Sequence, residues 1–383
     1  MMPPAATTNP RNVLSTILLV AGGSLNAVVL GWILLRHPFI NADFLGFWAY
    51  PRFTPVSLIY NPDAMMRFQQ ALYPGYKSFY PFTYPPDFLL FCGWMRGLGY
   101  QAARAAWLLA GLACFAAAGL ALFRRRGVPV LALLASPAAL LCIVLGQSSF
   151  FIGALLLGGL AALPRRPILA GMLFGLLTLK PQMGLLLPVL LLARGDFRAI
   201  AAALLTAGAL VALSCLALPP ELWHAWLTSL PAIQRDYFAG GANLTIMITP
   251  AANFLRLGVP PGLAMAGQAV CALAAAALTW RAARHFSYQA AMATLLAATF
   301  LAQPHAYAYD LVTLPAALAL ALPGRAWPVQ ALGVALYLVP LLLLSPYAGW
   351  CLYAPLLAAF LVLLALPPRH GANSAHEPVH PAL

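Results

Sequence analysis

Two charged residues of this chain lie beside long apolar runs, where their side chains could do chemistry at a membrane surface. Asp43 follows the first apolar run, in "NADFLGFWAYPRF" (41–53), and Lys180 lies within "LLTLKPQMGLLL" (176–187). A carboxylate at the boundary between membrane and water can act as a general base when it is ionised and within reach of a hydroxyl. A lysine among apolar residues requires a partner, for which an outward-facing phosphate is suitable.

A second polar cluster lies late in the chain, in "QPHAYAYDL" (303–311). It holds His305, Tyr309 and Asp310 between two apolar segments. The histidine could orient a substrate or share a proton. If a helix begins at His305, the spacing to Asp310 places the two side chains on different faces of that helix.

Each of these residues also has a purely structural interpretation. Asp43 would then be a helix cap or a salt-bridge partner, and Lys180 would extend its ammonium group to the interface. The late cluster would be a polar helix junction. Two weaker candidates, Gln147 in "VLGQSSFF" and Tyr84 in "FTYPPDF", lie in stretches that could be simple turns.

Composition places these residues in an integral membrane protein. The chain has 383 residues, of which 63% are hydrophobic and 8% are charged, whereas soluble domains carry roughly 25% charged residues. The net charge of +13 comes from short basic clusters between apolar runs, which indicates membrane anchoring rather than nucleic-acid binding. The six cysteines lie within apolar stretches without CxxC pairing, so we interpret them as packing residues.

The apolar segments predict an all-α polytopic protein with about twelve transmembrane helices. Alternating strand patterns are absent, which excludes a barrel, and we interpret residues 1–366 as a single membrane domain. The first segment is read as a retained helix rather than a cleaved signal. The predicted segments are 13–35, 101–123, 128–145, 148–163, 167–180, 181–193, 197–218, 261–283, 287–302, 306–323, 326–344 and 350–366.

The arginines predict the orientation of these segments, because short cytoplasmic connections are enriched in basic residues. With a cytoplasmic N-terminus, both termini are cytoplasmic, and the long connections 36–100 and 219–260 are extracytoplasmic. Six of the eight acidic residues then lie outside. The connections are rich in aromatic residues, so we expect amphipathic helices at the membrane surface; the tail 367–383 is expected to be flexible.

All the candidate residues fall on the extracytoplasmic side in this arrangement. Several basic residues lie there too, against the topology rule, which indicates an anionic ligand or lipid headgroups. An outward-facing pocket with a base, a histidine and cations beside lipid suits chemistry on a lipid-linked, phosphate-bearing substrate.

A series of motifs along the chain resembles glycosyltransferase family 87, a family of GT-C-type membrane enzymes that use polyprenyl-phosphate sugars. In chain order they are "ADFLGFWA", "YPPDFLL", "GQSSFFIGALLLGGL", "AGMLFGLLTLKPQMGLLLPVLLL" and "QPHAYAYDL". The resemblance implies a GT-C-like fold in the bacterial inner membrane with a periplasmic active site. It also implies an inverting transfer to a lipid or glycan acceptor, and mannose is the donor sugar best known for the family.

The resemblance also implies roles for individual residues. Asp43 matches the family's catalytic carboxylate in the first extracytoplasmic loop, and His305 matches its late histidine motif. The candidates for binding substrate, including cations for the phosphate, are Lys180, Arg256, Arg52, Tyr84, Gln147, Gln182, Tyr309 and Asp310. No cofactor is expected, and a metal is not required, although Asp43 together with Asp310 could hold a divalent ion.

Two other classes of protein compete with this reading. A transporter or flippase for a lipid-linked or anionic substrate would also use lysine and aspartate within the membrane. It predicts polar residues at mid-membrane in both halves and similar loops on both sides. A non-catalytic scaffold leaves the gathering of Asp43, Lys180 and His305 on one side unexplained.

Overall fold

A computed structural model of the chain describes residues 10–36, 42–72, 81–124, 127–239, 244, 246–340 and 353–365. The predicted tail 367–383 and parts of both long connections lie outside the described residues. The described α-helices are α1 (Pro10–Arg36), α2 (Ala42–Ala49), α3 (Pro62–Leu72), α4 (Asp87–Cys92), α5 (Tyr100–Leu122), α6 (Gly127–Leu134), α7 (Pro137–Leu145), α8 (Ser149–Ala162), α9 (Pro167–Gly175), α10 (Leu187–Arg194), α11 (Phe197–Ala217), α12 (Glu221–Ala239), α13 (Pro250–Arg256), α14 (Pro261–His285), α15 (Tyr288–Ala302), α16 (Leu314–Ala321), α17 (Trp327–Leu338) and α18 (Tyr353–Ala365).

The prediction of an all-α protein is confirmed for the described residues, which form helices and one isolated β-bridge but no strand. Each of the twelve apolar segments contains helix. Among the described residues, α5, α11 and α14 are long and apolar enough to cross a membrane, and a bent pair of helices would make a fourth span. The other apolar stretches found there, such as Val13–Val29 within α1, are 10–17 residues long, so the count of twelve transmembrane helices stays a prediction.

The bent pair consists of α6 and α7, which meet at an angle of 52°. The local sequence explains this break. Ser136 caps α7 by accepting a hydrogen bond from the backbone N–H of Ala139, and Pro137 occupies the first helical position, where its missing N–H is harmless. Helix α7 then ends at Gly146, whose φ of +68° lies in the left-handed region that glycine adopts at low cost.

Several arginines that the sequence predicts on one side of the membrane contact helix ends at one end of the bundle. At this end, arginine guanidinium groups donate to the last carbonyls of neighbouring helices, as such groups commonly do. These contacts are Arg284 to Ala193, Arg281 to Ala365 and Arg325 to Leu364. We call this the arginine end, and the opposite one, where α2 lies, the Asp43 end. Which compartment each end faces stays a prediction.

The two long connections both fold at the Asp43 end and contact each other. Helix α12 begins four residues after α11 ends and is one of the helices expected in the long connections. The indole N–H of Trp226 on α12 donates to the carbonyl of Thr83 in the first connection, over 3.1 Å. The first connection contains the short helix α4, which is followed by a 3₁₀ turn at Gly93–Gly97.

Candidate active site

Asp43 lies in the first turn of α2, outside the membrane-spanning helices, and its carboxylate is held by Gln147. The Nε2 of Gln147 donates to Oδ2 of Asp43 over 2.5 Å. Gln147 is buried in the turn between α7 and α8, directly after Gly146. The first connection and the α7–α8 turn therefore meet at this hydrogen bond.

Gly146 allows α2 to approach this turn. A Cβ built on Gly146 would lie 2.5 Å from the Cβ of Phe44, the residue after Asp43. Real Cβ contacts are never so short, so only glycine leaves room for Phe44 here. The indole of Trp107 on α5 donates to the Gly146 carbonyl over 3.1 Å and its ring packs against Phe44. This packing fixes the position of Asp43 beside Gln147.

The second part of the site is a buried ion pair between Lys180 and Asp310. The Nζ of Lys180 donates to Oδ1 of Asp310, and both side chains are at most 6% exposed. Ser149 donates its hydroxyl to the same oxygen over 2.8 Å, and the backbone N–H of Tyr307 donates to Oδ2 over 3.2 Å. The anionic partner that the sequence required for Lys180 is therefore supplied by the protein itself.

Helix breaks place the two charges of this pair at the same level. Lys180 separates the 3₁₀ turns Leu176–Leu179 and Pro181–Gly184, with a φ of −149° that is outside the helical range. Asp310 lies in the 3₁₀ turn Ala308–Thr313, which leads into α16. A helix that begins at His305 is not observed: the 3₁₀ turn begins at Ala308, and His305 lies in the connection between α15 and this turn.

Electrostatic contacts join Asp43 to this ion pair. Burial raises the pKa of Asp43 from 3.8 to about 6, while the hydrogen bond from Gln147 and the charge of Lys180 lower it and the charge of Asp310 raises it. Tyr309 also lies within range of the charges of Asp43 and Asp310, and its ring centroid is 5.5 Å from Nζ of Lys180. Asp43, the ion pair and Tyr309 thus form one cluster, which we call the Asp43 cluster.

His305 borders this cluster as a neutral side chain. The pKa of His305 is lowered to about 4, mainly by burial and also by the charge of Lys180, while the charge of Asp310 opposes both. Its ring stacks edge-on against Tyr307 at 4.9 Å, and Tyr307 in turn packs against Tyr309 at 5.3 Å. A neutral imidazole can orient a hydroxyl by a hydrogen bond, but it adds no positive charge for a phosphate.

Two of the predicted cations have their donors engaged with backbone carbonyls. Arg52 lies over the ring of Trp48 at 3.9 Å and donates to four backbone carbonyls of the first connection. The carbonyls belong to Trp48, Met95, Arg96 and Leu98. Arg256 donates to the carbonyls of Leu244 and Met247. Since Met247 forms a β-bridge with Tyr307, Arg256 supports the segment beside His305.

Tyr84 and Gln182 lie at the edges of the site. The Tyr84 ring stacks on Phe88 at 4.0 Å and packs against Phe47 on α2, and it lies within electrostatic range of Tyr309. Tyr84 is therefore part of the aromatic wall behind Asp43. Gln182 is half-buried in the 3₁₀ turn after Lys180.

Two buried polar groups beside the site had not been predicted as site residues. Ser149 completes the hydrogen bonds of Asp310, and its place directly after "GQS" was the available signal. The carboxyl of Asp87 is 1% exposed at the start of α4. Burial raises the pKa of Asp87, opposed by the nearby Thr178 hydroxyl, two residues before Lys180. This carboxyl lies within the "YPPDF" motif that the sequence singled out.

The donors around Asp310 bear on the expectation that Asp43 and Asp310 could share a divalent ion. Oδ1 of Asp310 accepts from Lys180 and Ser149, and Oδ2 accepts from Tyr307. An ammonium group at the carboxylate competes with a cation for the same oxygens. Within the described part of the chain, no three His, Cys, Asp or Glu side chains are grouped for a metal. Asp310 thus fits an ion-pair role better than a ligand role.

Comparison with known proteins gives one match. The sequence model of glycosyltransferase family 87 matches residues 82–304, which is more than half of the chain. The match includes Gln147 and Lys180, begins after Asp43 and ends one residue before His305. No curated protein matches the chain significantly, and no solved structure does so either.

Proposed function

Because the chain belongs to glycosyltransferase family 87 and has helices long enough to cross a membrane, it is a membrane glycosyltransferase, and we propose that Asp43 is the general base of an inverting sugar transfer. The donor in this proposal is a polyprenyl-phosphate sugar, with mannose as the first sugar to test. The acceptor is a lipid or glycan hydroxyl at the periplasmic face of the bacterial inner membrane.

The geometry around Asp43 is the observation that carries this proposal. Burial is the main cause that raises the pKa of this carboxyl to about 6, which is close to the pH at which a base must work. Gln147 holds one carboxylate oxygen. No hydrogen bond to the other oxygen is found among the described residues, so this oxygen could accept a proton from a substrate hydroxyl.

The chemical step follows from these positions. Asp43 takes the proton of the acceptor hydroxyl as the acceptor oxygen forms a bond to the anomeric carbon of the donor. The bond from that carbon to the phosphate oxygen breaks, and its electron pair leaves with the polyprenyl phosphate. The sugar configuration inverts because the attack is a single displacement, and no covalent enzyme intermediate is required.

The rest of the Asp43 cluster prepares the base for this step. Lys180 lowers the pKa of Asp43 and favours its ionised form, while Asp310 neutralises the lysine and fixes it beside Tyr309. His305 and Tyr309 offer hydrogen bonds to the sugar or the acceptor hydroxyl. The apolar and aromatic surroundings exclude water, which strengthens these interactions.

The experiment is a transfer assay with purified protein in nanodiscs, with a panel of polyprenyl-phosphate hexoses and bacterial lipid extract as acceptor. We expect Asp43→Asn to lower the transfer rate by about 10²–10⁴-fold, the usual contribution of a general base. Asp63→Asn is the matched control, because Asp63 is an exposed acid on α3. A transfer rate that is unchanged in Asp43→Asn would contradict the assignment of the base.

The transporter alternative is tested with the same preparation. If wild-type protein transfers sugar from none of the donors, vesicles that contain it are assayed for movement of a fluorescent polyprenyl-phosphate lipid between leaflets. Movement without transfer would favour a flippase and overturn the proposed donor chemistry.

A further inference from the structure

The proposed reaction releases a phosphate group, and this group requires a cation whose donors are not already used by the protein. The donors of Arg52 and Arg256 are directed at backbone carbonyls. Lys180 is buried and neutralised by Asp310. Among the side chains that the structure describes, three further arginines at the Asp43 end are exposed on the surface, namely Arg67, Arg96 and Arg235.

Arg104, on the second turn of α5, differs from all of these. It is half-buried, and its Nε is inaccessible to solvent and lacks a hydrogen-bond partner among the described residues. No ion pair of Arg104 is found in the described part of the chain either. Burying such a donor without a partner is unfavourable, so a bound molecule that supplies an acceptor at this position would be favoured.

The face of α5 that carries Arg104 is the face that packs around Asp43. Tyr100, one turn before Arg104, packs against Phe44 at 5.4 Å. Trp107, three residues after it, packs against the same ring and donates to the Gly146 carbonyl. Gly111, seven residues after Arg104, is buried against α8. Residues three, four and seven apart lie on one side of a helix, so Arg104 belongs to the packed side.

The direction of α5 carries the guanidinium group toward the mouth of the site. Helical side chains lean toward the helix N-terminus, and the N-terminus of α5 lies at the Asp43 end, where Trp48 donates to the carbonyl of Leu98. Arg104, on the turn between Tyr100 and Trp107, is therefore expected to lean toward the Asp43 end. The headgroup of a lipid-linked donor lies at this boundary between the apolar bundle and water.

We infer that Arg104 binds the phosphate group of the lipid-linked donor, an inference that rests on the proposed function. A guanidinium group presents two parallel N–H donors that match two phosphate oxygens. As the sugar bond breaks, negative charge gathers on the phosphate, and Arg104 stabilises this charge. Asp43 serves the acceptor oxygen, and Arg104 serves the leaving group.

The test measures direct binding of a short-chain polyprenyl monophosphate, without sugar, to the full-length protein in nanodiscs. Tryptophan fluorescence reports the binding. We expect Arg104→Gln to weaken binding about 10- to 100-fold, which corresponds to the loss of a charged hydrogen-bond pair, and Arg104→Lys to restore only part of it. Arg67→Gln is the matched control and is expected to bind as the wild type does. The uncharged polyprenol measures packing alone.

Each result has one meaning for the inference. Weaker binding of the monophosphate with unchanged binding of the polyprenol supports it. Equal monophosphate affinity in Arg104→Gln and wild type overturns it, as does an equal loss for the polyprenol. The binding of phosphatidylglycerol is measured in the same way. If Arg104→Gln weakens the binding of phosphatidylglycerol but not the binding of the monophosphate, Arg104 binds membrane lipid instead and the inference fails. Because binding is measured without transfer, its outcome is separate from that of the proposed reaction.

Discussion

The raised pKa of Asp43 predicts how the transfer rate depends on pH. The base must be ionised, so kcat/KM rises with pH and levels off above the pKa of about 6. Between pH 5 and pH 7 the ionised fraction increases from about 0.1 to about 0.9, which gives roughly a tenfold rise in rate. With the ordinary aspartate pKa of 3.8, the change over the same range would be less than about one tenth.

Gln147→Leu turns this profile into a test of the structure. The substitution removes the hydrogen bond that lowers the pKa of Asp43. A hydrogen bond to a charged group contributes about 1.5–3 kcal/mol, and 1.36 kcal/mol corresponds to one pKa unit. The midpoint of the profile should therefore move upward by about one to two units, to about pH 7–8.

The assay measures kcat/KM for donor consumption from pH 5 to pH 9 at constant ionic strength. Gln70→Leu, which changes an exposed glutamine on α3, is the control and should keep the wild-type midpoint. A wild-type profile that is flat from pH 5 to pH 8 would refute the reasoning. So would a Gln147→Leu profile that is lower in rate but has the same midpoint as the wild type.

Three further substitutions test the packing of the site by thermal unfolding in detergent. Lys180→Met should lower the free energy of unfolding by about 3–5 kcal/mol, because it leaves the charge of Asp310 buried without the lysine. Adding Asp310→Leu should recover most of that loss. If the two losses of stability add instead, the ion pair is contradicted. Gly146→Ala should cost at least about 1–2 kcal/mol for its left-handed backbone and lower the transfer rate by displacing Phe44, so wild-type rate and stability would argue against that contact. Arg52→Lys should destabilise the chain by about 1–3 kcal/mol, because an ammonium group replaces the planar guanidinium group that donates to several carbonyls. If the first connection resists proteolysis as well as in the wild type, this role of Arg52 is contradicted.

The sequence predicted the helices well because hydropathy is a local property. The apolar run 128–145 is an example of a helix break that hydropathy does not predict. Its composition indicates one span, but Ser136 and Pro137 end one helix and begin another, and the pair is bent by 52°. The number of spans depends on helix angles and depth in the membrane, which composition does not encode.

The members of the site could be predicted more fully than their partners. Assigning the charged residues to the two sides of the membrane placed Asp43, Lys180, His305 and Asp310 on the same side. The structure brings them to one end of the bundle. The sequence suggested a substrate phosphate for Lys180, whereas the structure pairs Lys180 with Asp310. A contact between residues so far apart in the chain leaves no local pattern, and neither does the approach of Arg52 to backbone carbonyls.

The separation of Lys180 and Asp310 along the chain has a consequence for how the protein is made. The two residues are 130 positions apart, so at about 5–20 residues per second a ribosome finishes Asp310 roughly 7–26 s after Lys180. During this interval Lys180 lacks the carboxylate that neutralises it, and a lysine held within the bilayer without a partner is costly. The segment 176–187 must therefore stay near the water boundary until α15 and α16 are inserted.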